Sequence, residues 1–524
     1  MSQRIEKKWV LQDPVPQQVK ERLKRHIPIM QQILYNRGIS SEEEAERYLN
    51  TDSSFYDPYL FNDMEKAIQR VIQAIDSHEK IAVFGDYDAD GITSTVVMSE
   101  ALEFFGADVQ PYLPERDDGY GVNTKAIEYL YNQGISLVIT VDCGIRSPEE
   151  LKFAKDLGMT VIVTDHHEPA AYLPDVHSII CPKVEGENYP EKNLAGVGVA
   201  FKFVQALFLA KTELMENADR WLDLVAIGTV ADVVPLLGEN RLLVAKGLRT
   251  LRFTERLGLK SLIGVSGLEA SKLSAFDISF GIAPRLNAAG RMDSPMKALN
   301  LLVSRKPSEI VMLSQELDDL NKYRQNETIK IHELAQKSFD KDRWIITVLG
   351  KDFNAGLVGL VSAKLTESFY QPSIVGFMGE EFTRASCRSI PEFHITQALD
   401  RCEHLLIRHG GHALAAGFTV ENEKISDLIE ALEKIAEEEL TAEDLKPRIM
   451  IDMEIGMRDL PEDILMELDK LEPIGADNPM ALFLSRDVKV VHAKAVGKKD
   501  NHLKLKIRDA DKNYDAIAFN QGDW

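Results

Sequence analysis

The chain has 524 residues, 44% hydrophobic and 27% charged, a balance that describes a globular protein of roughly two to four domains with sizeable cores. No apolar run reaches the ~20 residues needed to cross a bilayer, Met1-Ser2-Gln3-Arg4-Ile5-Glu6-Lys7-Lys8 lacks the apolar segment of a secretory signal, and Cys143, Cys181, Cys387 and Cys402 stand in no metal or redox spacing, so a cytoplasmic protein without membrane attachment is expected. A net charge of −22 argues mildly against nucleic acid as a partner, although concentrated basic islands and metal ions can still attract a polyanion.

From Lys80 to Lys183 apolar runs at Ile81–Phe84, Val109–Leu113, Leu137–Val141, Thr160–Thr164 and Ser178–Cys181 alternate with helical stretches at Ile92–Phe105, Thr124–Asn132 and Pro148–Leu157. Short buried runs alternating with amphipathic segments predict parallel strands with crossover helices. Leu194 to about Arg305 reads as mostly helical. Ser308–Asp342 contains neither Gly nor Pro and predicts one helix of ~50 Å, either the core helix of a bundle or, as we favour, a strut joining two lobes. A second α/β domain follows from Trp344 to about Leu440, with a helix at Val358–Phe369, strands at Ser373–Phe377 and Phe382–Cys387, and Gly-rich turns. The acidic stretch Glu421–Asp444 is expected to form an exposed helix and then a linker. Strands at Met450–Glu454, Val488–Ala493, His502–Ile507 and Asp515–Phe519 suggest a small β-barrel, expected to be truncated at Trp524. It carries Arg486, Lys489, Lys494, Lys498, Lys499, Lys504, Lys506 and Arg508 against only Asp487 and Asp500 between Ala481 and Arg508.

The chemistry begins at Gly85-Asp86-Tyr87-Asp88-Ala89-Asp90-Gly91. A buried strand that ends in three acids is unfavourable unless cations neutralise them, which points to a divalent-metal site. The spacing fits half of an EF-hand loop, but position twelve is Val97 rather than Glu and a strand precedes it. Two more strands end alike, in Val141-Asp142-Cys143-Gly144 and in Thr164-Asp165-His166-His167. Singly, Asp142 fits a helix N-cap equally well. Together the strand ends would gather Asp88, Asp90, Asp142 and His166 at one rim, a mixed carboxylate and imidazole set that suits Mn²⁺ or Mg²⁺. Asp232 lies in the apolar stretch Ala226–Pro235, where it is either a further ligand or a buried hydrogen-bonded carboxylate.

These motifs, in this order, resemble those of the DHH phosphoesterase superfamily and within it the RecJ-type single-stranded-DNA exonucleases. The resemblance extends through Ala231-Asp232-Val233-Val234-Pro235-Leu236, Ala283–Met292, Arg384–Ser389 and Gly410–Phe418. It implies a two-ion centre held by Asp86, Asp88, Asp90, Asp142, His166 and Asp232, with Asp142 bridging, His167 on the scissile phosphate and Asp165 orienting the histidines. It further implies that Ser386, Arg388, Gly410, Gly411 and His412 bind a terminal phosphate, while Arg285, Asn287 and Arg291 line the cleft. Arg285 and Arg291 could instead pair with acids across the domain boundary. Two positions depart from the family pattern, Ala385 for Gly and Asn354 for His.

The domains expected are an N-terminal extension (1–60), a DHH catalytic domain with a helical insertion (61–305), a connecting helix (306–343), a DHH-associated substrate-binding domain (344–440) and an OB-like nucleic-acid-binding domain (445–524). The activity implied is 5′ to 3′ hydrolysis of single-stranded DNA with Mn²⁺ or Mg²⁺, by a monomer whose company is a single-stranded-DNA-binding protein and a helicase, in DNA repair and recombination. The alternatives are a phosphodiesterase for short oligonucleotides or cyclic dinucleotides, a pyrophosphatase, and a non-catalytic DNA-binding relative.

Overall fold

Strands buried on both faces need a layer of helices on each side, and the computed structural model has that arrangement. It describes residues 6–116, 119, 121–337, 340 and 343–524. Strands β1 (Lys80–Phe84), β2 (Asp108–Tyr112), β3 (Leu137–Val141), β4 (Thr160–Thr164) and β5 (Ser178–Ile180) form one parallel sheet in the order β2-β1-β3-β4-β5. Alternate residues of β1 enter opposite layers, Ile81 and Val83 one core and Ala82 and Phe84 the other, as a period of two requires.

Three helices over the first face are apolar nearly all round and buried: α1 (Ala89–Phe104), α2 (Gly196–Thr212) and α3 (Leu222–Ala231). Next come α4 (Ala283–Met292), which continues from a π-helical turn at Ile278–Ile282, and α5 (Pro307–Lys337). Both expectations for the long helix hold in part. Ile310, Leu313 and Leu317 of α5 belong to the large helical core, whereas Ile331 and Ala335 pack with Ile346, Val348, Val361 and Leu365 of the following domain. The last residues of the predicted span, 338, 339, 341 and 342, lie outside those described.

The second sheet holds β6 (Ile346–Gly350), β7 (Ser373–Met378), β8 (Phe382–Arg388), β9 (Leu406–His412) and β10 (Ala415–Glu421) in the order β9-β10-β8-β7-β6, with α6 (Val358–Phe369) packed beside β7 and β8. The Gly-rich turns expected here are instead the antiparallel hairpin β9–β10, with Gly410, Gly411 and Gly417 inside the strands. The acidic segment is a helix, Ile425–Glu439, that buries Ile425, Leu428, Leu432, Ile435 and Ala436. Only its charged face is exposed, because its apolar residues recur at helical spacing.

A second compact unit joins residues 7–50 with 448–474 and 478–524. Lys8–Leu11 pairs in parallel with Arg448–Ile451, and Leu23, Met30, Ile33, Leu34 and Tyr48 share a core with Leu471. Strands Lys489–Val496, His502–Asp509 and Lys512–Ala518 form an antiparallel sheet. Among the described residues no helix is long and apolar enough to cross a membrane.

Candidate metal centre

Phe84 of β1 is in register with Thr140 of β3, and Val141 with Thr164 of β4. The loops that follow therefore leave one edge of the sheet, where the strand order reverses between β1 and β3, the place at which α/β sheets bind ligands. Asp88 closes the first loop by capping α1, its Oδ1 accepting the amides of Asp90 (2.9 Å) and Gly91 (3.0 Å). Asp90 in turn accepts the amides of Gly196 (2.7 Å) and Val197 (2.9 Å) at the N-terminus of α2, which the helix dipole favours. A Cβ on Gly196 would lie 2.5 Å from Asp142, so only glycine lets α2 come this close. Asp142 and Val233, the latter directly after Asp232, both have left-handed backbones (φ +61° and +62°). Strain of this kind, on the order of 1–3 kcal/mol at each residue, persists where surrounding structure enforces it and clusters at functional sites.

Three sets of donor atoms each lie within 4.8 Å of one another: Asp86, Asp88 and Asp142; Asp90, His166 and Asp232; Asp142, His166 and His167. The structure thus brings all six expected ligands and His167 together, with Asp142 and His166 common to two sets. His166 Nε2 is 3.1 Å from Asp142 Oδ1 and 3.6 Å from Asp232 Oδ2. Asp86 Oδ1, Asp142 Oδ1 and both ring nitrogens of His166 are buried and have no hydrogen-bond partner among the described residues. Burial, reinforced by Asp88, pushes Asp86 and Asp90 up to about 7. Asp142 and Asp232 are driven well above the usual carboxylate range by burial and by Asp90 and Asp88. Burial and the neighbouring His167 lower His166 to about 3, keeping it neutral as a ligand must be. Five crowded carboxylates and a neutral imidazole with orphaned atoms fit two divalent cations, whose charge would offset the repulsion.

Asp165 sits behind this cluster. Its carboxylate accepts the amides of Ile145 (2.9 Å), His166 (2.7 Å) and His167 (3.1 Å) and lies 2.8 Å from His167 Nδ1. Burial opposes protonation of His167, but the hydrogen bond and charge of Asp165, together with the charges of Asp90 and Asp86, outweigh it and raise the pKa.

The expected substrate residues divide. Asn287 Oδ1 accepts the amide of Ala89 (2.8 Å) and so holds the acidic loop. Arg285 is engaged by Asp318 of α5 (Nε 2.9 Å, Nη2 2.8 Å) and by the Gly281 carbonyl (2.6 Å). This is the acid pairing anticipated as its alternative. Arg291 instead lines a cleft of ≈ 430 Å³ with Arg116, Asn354 and Gly356. Burial, Arg116 and Arg324 lower it to about 10 while Asp88 opposes them. A Cβ on Gly356 would meet the Arg291 carbonyl at 2.6 Å, and one on Gly359 would meet Ser386 Oγ at 3.1 Å and Arg388 at 3.4 Å. These contacts lead step by step from the acidic loop to the second sheet.

There, Ser386 pairs with Gly417 and Gly417 with Gly410, and Arg388 pairs with Ala415 and Ala415 with His412. Residues in register share a face, so Ser386, Arg388, Gly410 and His412 stand on one side of the sheet with small residues between them. Gly411 alternates to the other side, where its φ of +152° and close approach to Ala415 and Ala416 require glycine. The methyl of Ala385 is in the core and leaves the Ser386 face open. Asn354 closes the turn before α6 by accepting the Gly356 amide (2.7 Å). Sequence reasoning missed Arg116, although it stands in the charged run Glu115-Arg116-Asp117-Asp118 after β2, and Gly196, for which the pair Gly196 and Gly198 beside Ala195 was the available signal.

Family models match here in the order the resemblance implied: the DHH family N-terminal domain over residues 80–229, the DHHA1 domain over 341–438 and the RecJ OB domain over 451–524. The single-stranded-DNA-specific exonuclease RecJ of Bacillus subtilis is 41% identical over 98% of this chain, which spans 66% of that protein's length. RecJ of Haemophilus influenzae is 32% identical over 94% of this chain and 89% of its own, and that of Escherichia coli 33% over the same shares. A crystal structure of RecJ from Thermus thermophilus in complex with Mn²⁺ superposes with a TM-score of 0.84 at 28% identity, covering 98% of this chain and 74% of that one. The fold, the acidic edge and these similarities over nearly the whole of this chain lead to one assignment: the chain belongs to the RecJ family of single-stranded-DNA-specific exonucleases.

Proposed function

We propose that this chain removes mononucleotides from the 5′ end of single-stranded DNA, using two Mn²⁺ or Mg²⁺ ions held by Asp86, Asp88, Asp90, Asp142, His166 and Asp232. The observation that carries the reading is a pair of donor triads, Asp86/Asp88/Asp142 and Asp90/His166/Asp232, bridged by a third set that takes Asp142 from one and His166 from the other. When bound, such ions neutralise the phosphodiester, lower the pKa of a water and stabilise the leaving oxygen. The protein's own groups do the rest. Asp165 fixes the tautomer of His167, so that Nδ1 donates to the carboxylate and Nε2 serves the scissile phosphate. Arg291 supplies positive charge beside Asp88. Ser386, Arg388 and His412 receive the 5′-terminal phosphate, where a guanidinium fork reads two oxygens at once; Gly410 keeps the adjoining strand low enough for that approach, and Gly411 supplies the backbone turn behind it.

The basic sheet of the second unit guides the strand. Lys504, Lys506 and Arg508 alternate onto one face with Lys494 and His492, opposite the face of Leu503, Leu505 and Ile507. The enzyme acts as a cytoplasmic monomer in repair and recombination, supplied with single strands by a helicase and a single-stranded-DNA-binding protein. Timed digestion of end-labelled single strands in Mn²⁺ and in Mg²⁺ tests the reading. Mononucleotides released from the 5′ label are expected; release from the 3′ label first would overturn the polarity.

A further inference from the structure

Just before α4 the chain exposes two aromatic rings that the fold does not need. Phe276 and Phe280 are 66% and 67% exposed, with ring centroids 4.5 Å apart and planes tilted by 32°. Large exposed aromatics paired in this way are an uncommon and informative surface feature. They flank and enter the π-helical turn Ile278–Ile282, which keeps Ile278 and Ile282 in the core while Phe280 remains outside. Such turns are often found at functional sites.

The same helical run continues into α4, where Asn287 and Arg291, four residues apart and so on one side, hold and flank the acidic loop. Eleven residues separate Phe280 from Arg291, roughly 16 Å at helical rise. Arg285 donates to the carbonyl of Gly281, next to Phe280, but its charge, like that of Lys322, is paired with Asp318, so the cations open to a strand are Arg291 and Arg116 at the far end. Exposed aromatic faces on a helical run that ends at two arginines beside a phosphodiesterase site match one ligand chemistry, the unpaired bases and phosphates of a single strand.

We propose that Phe276 and Phe280 form a base-stacking platform that holds the single strand on the 3′ side of the bond being cut. The proposal rests on the exonuclease reading and adds to it a site for bases some distance from the reacting phosphate. Bases stack on aromatic side chains without regard to sequence, so the platform grips any strand and cannot engage the paired bases of a duplex.

The test compares the unsubstituted protein with a Phe276→Ala/Phe280→Ala double variant and with Phe280→Trp, on a long 5′-phosphorylated strand, the same strand abasic beyond its first nucleotides, and a dinucleotide. Both rings are exposed, so thermal midpoints should agree within a few degrees. For the alanine variant we expect KM on the long strand to rise about tenfold, with kcat and dinucleotide cleavage unchanged. Phe280→Trp should keep the KM of the unsubstituted protein. The unsubstituted enzyme should lose a similar factor on the abasic strand, and the alanine variant should lose nothing further there. An unchanged KM, or an equal loss on base-bearing and abasic strands, overturns the platform. So does a change confined to sedimentation, which would make the rings a self-association surface. Failure of the unsubstituted enzyme to degrade any single strand is a different result, since it removes the exonuclease reading and this site with it.

Discussion

Gly196 donates its amide to Asp90 at 2.7 Å, and the same residue lies where a side chain would meet Asp142 at 2.5 Å. One glycine thus sets the gap between two aspartates of different triads. Overpacking at a rigid helix end commonly costs about 1–3 kcal/mol, and here it would be relieved by moving Asp142, one of the proposed metal ligands. Gly196→Ala should fold with a lowered melting temperature and bind Mn²⁺ at least tenfold more weakly by titration calorimetry. Unaltered affinity would show that the gap has no such role.

Asp142 is shared by two donor sets. Asp142→Ala should retain its circular dichroism spectrum and lose nearly all Mn²⁺-dependent hydrolysis. Without metal it should melt higher than the parent, since a buried carboxylate driven well above its usual range by burial and neighbouring acids is removed. Near-normal turnover would refute the assignment.

The metal-free protein should show its strain as a function of pH. The folded-state values of Asp86 and Asp90, about 7, exceed the ~3.9 of an unfolded aspartate. Their contribution is therefore fully present below about pH 4 and lost as pH rises through 7. Relative to an Asp86→Asn/Asp90→Asn variant, the metal-free parent should lose melting temperature between about pH 4 and 7, and added Mn²⁺ should reverse the loss. A constant difference across that range would contradict the crowding of these acids.

Arg285 and Asp318 make a partly buried ion pair, with 12% and 3% of their side chains exposed. Removing one partner of such a pair typically costs about 3–5 kcal/mol. Arg285→Met should lower the melting temperature clearly, with KM for single-stranded DNA altered less than threefold. A large KM effect in a variant of unchanged stability would restore Arg285 to the substrate cleft.

Arg388 shares its face with Ser386 and, across Ala415, with His412. Lysine keeps the charge but not the two-point fork, so Arg388→Lys should lose about tenfold of any preference for 5′-phosphate over 5′-hydroxyl ends. Charge reversal of Lys498, Lys499, Lys504 and Lys506 should weaken long-strand binding and flatten its salt dependence, by about 0.7 in log–log slope for each phosphate no longer neutralised. Undiminished salt dependence would remove that sheet from the strand's path.

The sequence by itself determined the parallel sheet, the ends of its strands and the acids placed there, because a strand pattern of period two bounded by charged turns is local information. Helix Val358–Phe369 was legible to the residue for the same reason. Tertiary structure alone decided the rest. The pairing of Lys8–Leu11 with Arg448–Ile451 spans over four hundred residues, the hairpin β9–β10 hides in glycines that read as turns, and the fate of Arg285 depended on an aspartate thirty-three positions away. Periodicity reports which face of an element is buried. It does not report which distant element lies against that face, and it is this packing that turns separate aspartates into one centre.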